Sequence, residues 1–344
     1  MATTKAVIQT EWGGPEVMSH GEAPLAPLGD LDVLVRNYAT GVNPIDYKFR
    51  QGMDPDKNID PAEPVVVGWD GAGVVEAVGA SVKDFSPGDE VYYAGSILKP
   101  GSYAEQTVVD SRIVALKPKS LTFAEASTIP LVAETVHEAL LEMLAVEAGK
   151  TILIYNGAGG VGSFAIQYAK HLGLTVIATA SRPETIAWVK SLGADVVINH
   201  REDILPQLEA KSLKPDYVFE LRDNSRIGEL MKSLAPQGRA CLTWMLTAEN
   251  FAKIDSMDML FGRKTISYEF MFERAATGTE PEKQGELLAT VAGLLDEGKL
   301  SHTLKQTLPW SEVQEAHRLV EKGTVVGKIA LAISDEASLK TAHN

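Results

Sequence analysis

Apolar and polar positions follow two periods along this chain, and the change of period divides it. Up to about residue 120 the apolar positions fall in short strand-like runs broken by glycine and proline, at residues 6–9, 32–39 and 65–78. Val74-Val75-Glu76-Ala77-Val78-Gly79 shows the alternation of a half-buried strand. Ser86-Pro87-Gly88-Asp89 is a turn signal ahead of Glu90-Val91-Tyr92-Tyr93. With 102–109 and 112–116, these runs predict a barrel-type β domain. From about residue 124 the pattern becomes alternating α/β. Helical runs at 124–128 and 133–143 precede six strand candidates, at 152–155, 176–179, 196–198, 217–220, 240–244 and 265–272. Helical segments at 183–192, 203–211 and 225–234 lie between them. Strands at this spacing with crossover helices predict a doubly wound parallel sheet. A charged loop at 273–283, an amphipathic helix at 285–298, strand-like Thr307-Leu308-Pro309 and a strand at 327–333 follow. Residues 334–344 read as a solvated tail. The expected architecture is α/β, with a β-barrel-type domain from 1–128 and 273–344 and a doubly wound domain from 129–272.

One stretch carries a chemical signature. Thr151-Ile-Leu-Ile-Tyr155 is a nearly all-apolar run of the kind a parallel strand buried on both faces shows. It leads into G-x-G-x-x-G at Gly157, Gly159 and Gly162. From Val161 the period changes, with Val161, Phe164, Ala165, Tyr168, Ala169 and Leu172 on one helical face. Strand, glycine turn and helix form the context of a dinucleotide site, the Rossmann signature: a tight turn, close approach of backbone to a pyrophosphate, and helix-on-strand packing. The N–H groups around Gly160 and Val161 open the helix toward phosphate. The plainer alternative, a turn that only reverses the chain, explains the glycines but not the switch of period behind them.

Composition narrows the reading further. The chain has 344 residues, enough for two domains, and a formal net charge of -14, which disfavours a nucleic-acid partner. Its single cysteine, Cys241, lies in an apolar run, so an internal disulfide and a multi-cysteine metal site are both excluded. Met1-Ala-Thr-Thr-Lys5 lacks the apolar core of a secretory signal, and no run reaches the ~20 apolar residues of a membrane span. A cytoplasmic protein with no membrane partner is expected.

Several motifs in order resemble the medium-chain dehydrogenase/reductase superfamily, in its zinc-free quinone oxidoreductase-like branch, often labelled zinc-type alcohol dehydrogenase-like. They are Gly41-Val42-Asn43-Pro44-Ile45-Asp46, Gly68-Trp69-Asp70-Gly71-Ala72-Gly73, Pro87-Gly88-Asp89-Glu90-Val91, Gly101-Ser102-Tyr103-Ala104-Glu105, the glycine turn, Leu192-Gly193-Ala194-Asp195 and Gly327-Lys328-Ile329. The resemblance covers nearly the whole chain and implies a GroES-like catalytic domain beside the Rossmann domain. Zinc-using relatives carry cysteine where this chain has Asn43 and histidine where it has Trp69. Only Asp70 keeps ligand chemistry, so no metal is expected.

The end of the second strand of the doubly wound domain, about 20 residues beyond the glycines, is where an NAD site places a carboxylate. Here Ala180-Ser181-Arg182 stands there, a hydroxyl and a guanidinium suited to a 2′-phosphate, so NADPH is the expected cofactor. The plainer reading makes Ser181 a helix cap and Arg182 a solvated charge. The resemblance puts Asn43, Tyr47 and Lys48 at the nicotinamide end, with Lys48 as the group that polarises the substrate oxygen. Many relatives have tyrosine at the position of Lys48; this chain has Tyr47 one residue earlier. Thr135, Lys328 and Trp244 are implied near the cofactor, and Trp69, Tyr93, Met245 and Met271 in the substrate pocket. For each, core packing or surface solvation is the plainer reading. The implied activity is NADPH-dependent, zinc-independent reduction of quinones or α,β-unsaturated carbonyls by a homodimer. A zinc-free ketone or aldehyde reductase and a non-catalytic NADPH-binding redox sensor are the alternatives.

Overall fold

The structure, a computed structural model, describes residues 2–52 and 63–334. The tail expected over 334–344 lies outside them apart from Ser334. The chain divides into two compact units, one of Met1–Leu131, Phe272–Gly298 and His302–Asn344, the other of Val132–Met271 with Lys299–Ser301.

In the first unit the eleven-residue strand Asp32–Val42 is central. It pairs antiparallel with Asp70–Val78, with Lys328–Ala332 and with Gln106–Asp110. Glu90–Ala94 and Val114–Leu116 continue the sheet on one side and Leu304–Pro309 closes the other. Thr3–Ile8 and Ser19–Pro24 form a separate hairpin. Inward-facing Val33, Val35, Val75, Val91, Tyr93 and Val109 make the core, as alternation predicts. Because the neighbours of the central strand run antiparallel to it, its C-terminal end meets the N-terminal ends of two others. Ile329 pairs with Val42 and Ala72 with Ala39, so Asn43, Asp70 and Lys328 arrive at one end of the sheet.

The second unit is a six-stranded, all-parallel sheet. Numbered by appearance, its strands lie in the order third, second, first, fourth, fifth, sixth, with Thr151–Tyr155 first and Thr265–Tyr268 at the edge. This is the doubly wound order. Leu153, Ile177, Val218 and Leu242 fill its core from successive strands, and every residue from Ile152 to Ile154 is fully buried.

Some expected elements differ. The sixth strand ends at Tyr268 rather than 272, and Phe272–Thr277 is a helix where a charged loop is expected. Phe272 packs its ring edge-on against Trp69 at 5.7 Å and Arg274 is buried, so tertiary packing gives this short Glu- and Ala-containing segment its helical face. The helix expected at 133–143 begins at Pro130 and passes at Glu138 into a π-helical turn that runs to Met143. The strand expected at 102–109 starts only at Gln106, and the fifth strand ends at Leu242. The amphipathic helix Val313–Glu321 carries His317 inward and has no counterpart among the expected elements.

Candidate active site

Asn43 is the N-cap of a seven-residue helix, Pro44–Arg50. Proline at the first helical position needs no hydrogen-bond partner there, and a capping box closes the end. Asn43 N–H donates to Asp46 Oδ2 at 2.8 Å. The Asn43 side chain is held just as firmly. Its Nδ2 donates to Asp70 Oδ2 at 2.7 Å, and its Oδ1 accepts from Lys328 Nζ. Lys328 Nζ also lies 3.0 Å from Asp70 Oδ2, while Asp70 Oδ1 accepts from Leu131 N–H at 2.8 Å. Lysine, carboxylate and carboxamide are all at least nine-tenths buried. Gly41 makes room for the cluster, since a Cβ there would stand 2.4 Å from Ser127 O and 2.8 Å from Asp70 Oδ2.

Asp46 is fully buried. Its Oδ2 also accepts from Tyr103 OH at 2.9 Å, whereas Oδ1 has no partner among the described residues. Burial pushes this carboxyl up to about 7, against the opposing pull of Asn43 N–H, Tyr103 and Lys328. Tyr47 and Lys48 follow on the same helix, both partly exposed. Burial first, then the charge of Glu321, raises the Tyr47 phenol, so it stays a neutral donor near pH 7.

Two expected pocket residues of this unit belong elsewhere. Tyr93 is 1 % exposed, belongs to the barrel core and donates its hydroxyl to Asn37 Oδ1 at 2.9 Å. Trp69 is equally buried, donates Nε1–H to Ser96 O at 3.1 Å and packs edge-on against Phe49 and Phe272. Both pack inside this unit, Tyr93 from the strand Glu90–Ala94 among the core valines and Trp69, just ahead of the strand Asp70–Val78, between the rings of Phe49 and Phe272.

The donors at the positions that resemble a zinc site do not fit the metal. The Asp70 oxygens already meet an ammonium and two N–H donors, Trp69 offers no lone pair, and among the described residues no group of three His, Cys, Asp or Glu side chains could hold a metal.

In the second unit the glycine turn separates the first strand from the twelve-residue helix Gly160–His171, capped by Gly159. The roles of the three glycines are unequal. A Cβ on Gly162 would fall 2.4 Å from Asn156 O and 2.8 Å from Gly157 Cα, backbone that cannot yield. A Cβ on Gly157 would meet Ala178 at 3.0 Å and Ile166 at 3.4 Å, and on Gly159 only the Asn156 side chain at 3.1 Å. The tightest approach is therefore helix start against strand end. Thr179 locks the turn, its hydroxyl accepting from Asn156 N–H at 2.8 Å and its carbonyl from Gly157 N–H at 3.1 Å. With Val161 half-buried in the first helical turn, the backbone fits a pyrophosphate.

Arg182, not Ser181, is the N-cap of the helix Pro183–Ser191. Thr185 supplies the capping hydroxyl, which accepts from Arg182 N–H at 3.0 Å and leaves Ser181 outside the cap. Arg182 Nε lies 2.7 Å from Glu184 Oε1. Arg201 follows the third strand, Arg222 follows the fourth, and Arg226 caps the helix Ile227–Ser233. They and Arg182 all act electrostatically on His200, which burial first and then these four charges hold below its usual range. Arg226 Nη1 donates to the His200 carbonyl at 3.2 Å, and the buried His200 Nδ1 has no partner among the described residues. Thr135 is buried on the helix Pro130–His137, Met271 is buried, and Met245 is 63 % exposed. Trp244 is half-buried in the turn after the fifth strand, where Asn224 Nδ2 donates to its carbonyl at 2.9 Å. No described helix is long and apolar enough to cross a membrane.

The family description "Alcohol dehydrogenase GroES-like domain" matches residues 29–119 and "Zinc-binding dehydrogenase" matches 160–284. A zinc-type alcohol dehydrogenase-like protein of Staphylococcus aureus is 37% identical over 319 residues, 88% of this chain and 91% of its own length. The chain belongs to the medium-chain dehydrogenase/reductase superfamily. Its fold is that of this oxidoreductase superfamily, a GroES-like β unit and a Rossmann unit. The chloroplastic NADPH-dependent alkenal/one oxidoreductase of Arabidopsis thaliana is 41% identical over 224 residues, 63% of this chain and 56% of its own. The quinone oxidoreductase of Coxiella burnetii superposes with a TM-score of 0.82 at 29% identity, over 97% of this chain and 100% of that one.

Sequence reasoning located Asn43, Asp70 and Lys328 separately and missed that they form one cluster. It also missed Tyr103, His317 and His200. A histidine on the inward face of an amphipathic helix is the one local signal that points to His317.

Proposed function

We propose that this medium-chain dehydrogenase/reductase is an NADPH-dependent, zinc-independent reductase of quinones or α,β-unsaturated carbonyls. The observation that carries the reading is the Asn43–Asp70–Lys328 cluster, a saturated ion pair at the positions that resemble a zinc site. Chemistry without a metal then needs organic donors. The relatives named for alkenal/one and quinone reduction support that substrate class. NADPH is supported by the carboxylate-free Ala180-Ser181-Arg182 and by the four arginines around His200, an unusual concentration of positive charge in a chain of net charge -14. The dinucleotide, when bound, supplies the hydride. The glycine turn and the helix at Gly160 would hold its pyrophosphate, and Ser181 and Arg182 its 2′-phosphate. As hydride reaches the β-carbon of an enone, or a quinone carbonyl, negative charge grows on the substrate oxygen. Lys48, with Tyr47 beside it as a neutral donor, would stabilise that charge. Thr135 and Lys328 would line the cofactor, Met245 and Met271 the substrate.

A homodimer is part of the reading. Among the described residues the sixth strand is paired on one side only, and Phe261, Leu260, Met257, Tyr268 and Phe270 are exposed in or near it. The test follows NADPH absorbance with 9,10-phenanthrenequinone and 2-hexenal, with and without chelator. Chelator-resistant oxidation is expected, and Lys48→Met should lower kcat by ~100-fold or more while leaving NADPH affinity unchanged. Cofactor binding without oxidation by any acceptor would favour a redox sensor instead.

A further inference from the structure

A chain of buried polar groups runs behind Asp46, and its hydrogens can be placed. Arg50 is fully buried, with its Nη2 3.0 Å from Glu321 Oε2, its Nε donating to Gly13 O at 3.0 Å and its Nη1 3.1 Å from His317 Nδ1. A guanidinium has only donors, so His317 Nδ1 must accept and Nε2 must carry the ring hydrogen. Burial and the facing Arg50 charge hold His317 down to about 3, which keeps the ring neutral and in this tautomer. His317 Nε2 lies 3.2 Å from Tyr103 OH, so it donates there, and Tyr103 donates onward to Asp46 Oδ2. Burial and the Asp46 charge raise the Tyr103 phenol well above its ordinary range, so it remains a donor. Every hydrogen in the chain points toward Asp46, and Asp46 points back to the N–H of Asn43.

The groups facing Asp46 come from four elements. They are Asn43 N–H at its own helix start, Tyr103 ahead of the strand Gln106–Asp110, Lys328 on its strand and Asp70 on another. Two donors serve one oxygen and none serves the other, so the ionised form is held at Oδ2 alone. We propose that Tyr103 and His317 are positioning residues: oriented by Arg50, they favour the ionised form of Asp46 against its burial, and so fix Asn43 and the start of the helix that bears Tyr47 and Lys48. Removal of the chain leaves the buried carboxyl with one donor, where it takes a proton more readily and releases the Asn43 N–H. The activity half of this inference rests on the reductase reading above; the anchoring half does not.

The test uses the full chain with carboxyl-13C aspartate, the Asp46 resonance being assigned by its loss in Asp46→Asn. In the unliganded protein its titration midpoint should lie near pH 7 and move up by roughly one pH unit or more in Tyr103→Phe, the loss of one hydrogen bond to a charged group. Exchange of the Asn43 amide hydrogen should quicken in the same variant, about two-fold near pH 7, where the protonated fraction rises from about half to about nine-tenths, and about ten-fold near pH 9, well past both midpoints. His317→Gln, which keeps an N–H donor in place of Nε2, should restrain both changes, whereas His317→Leu should reproduce them. The acid limb of kcat for NADPH oxidation should shift with the midpoint. An unmoved midpoint in folded Tyr103→Phe overturns the proposal, as does a moved midpoint with unchanged Asn43 exchange. If the wild type reduces none of the acceptors, the reductase reading fails and the titration and exchange measurements still decide the anchoring. If they move while the acid limb stays, the chain anchors Asn43 but does not act on the reaction, which removes the positioning role.

Discussion

The two units build their candidate sites by opposite means. The Rossmann unit makes the seat proposed for phosphate from backbone, within one stretch from Asn156 to Gly162 locked by Thr179. The GroES-like unit makes its cluster from side chains separated by 27 residues between Asn43 and Asp70 and by 258 between Asp70 and Lys328. A seat made of backbone depends on what is missing, a Cβ, and so appears in the sequence as glycines at fixed spacing. One made of side chains depends on charge compensation between distant strands and leaves no local period.

The largest expected effect breaks the side-chain cluster. Lys328→Met leaves the buried Asp70 carboxylate without its counter-charge and should destabilise the protein by ~3–5 kcal/mol, read by urea unfolding followed in the barrel. An unchanged midpoint would mean that the ion pair is not what holds this end together. The backbone seat should be less sensitive overall but sharper in binding. Gly162→Ala forces the helix start away from Asn156 and Gly157, with an expected loss of ~1–3 kcal/mol in stability, and dinucleotide affinity should fall by roughly ten-fold or more. Gly159→Ala, which meets only the Asn156 side chain, should be milder on both counts.

A dependence on pH is shared, because each unit holds a buried carboxyl raised to about 7, Asp46 in one and Glu220 in the other. In both cases burial is the main cause, and one oxygen lacks a partner among the described residues. Between about pH 4 and 7 the folded protein keeps these protons while the unfolded chain has lost them. The contribution of each group to stability is therefore full below about pH 4 and declines as pH rises to about 7. Asp46→Asn and Glu220→Gln should each remove up to ~1.4 kcal/mol per pH unit of that decline, measured as the difference in unfolding free energy from wild type. A difference that does not vary with pH would show that neither carboxyl is protonated in the folded state.

Much of the fold was legible because it rests on period. The switch from two-residue alternation to spaced strands and helices reports a β unit followed by a parallel sheet, and the turn at Gly157–Gly162 reports its own partner. Legibility stopped where burial and local character disagree. Phe272–Thr277 reads as charged, yet Trp69 receives Phe272 and makes it a helix. Tyr93 reads as a pocket aromatic but faces the core of the barrel, where Asn37 takes its hydroxyl. Ser181 reads as a cap, but Thr185 performs that role from inside the helix. Arg50 and His317 are 267 positions apart, and nothing near either residue announces the other.

The position of Lys328 also bears on the order in which the molecule is made. A ribosome delivers Val132–Met271 as one nearly complete block, so all six parallel strands emerge before the last two strands of the barrel exist. Asp70 emerges early and waits through 258 further residues for its ammonium. Domains fold as units during synthesis, so the nascent chain passes through a stage with a finished nucleotide unit and an open barrel. A chain arrested before Lys328 should resist protease across the Rossmann sheet and be cut within its first 131 residues.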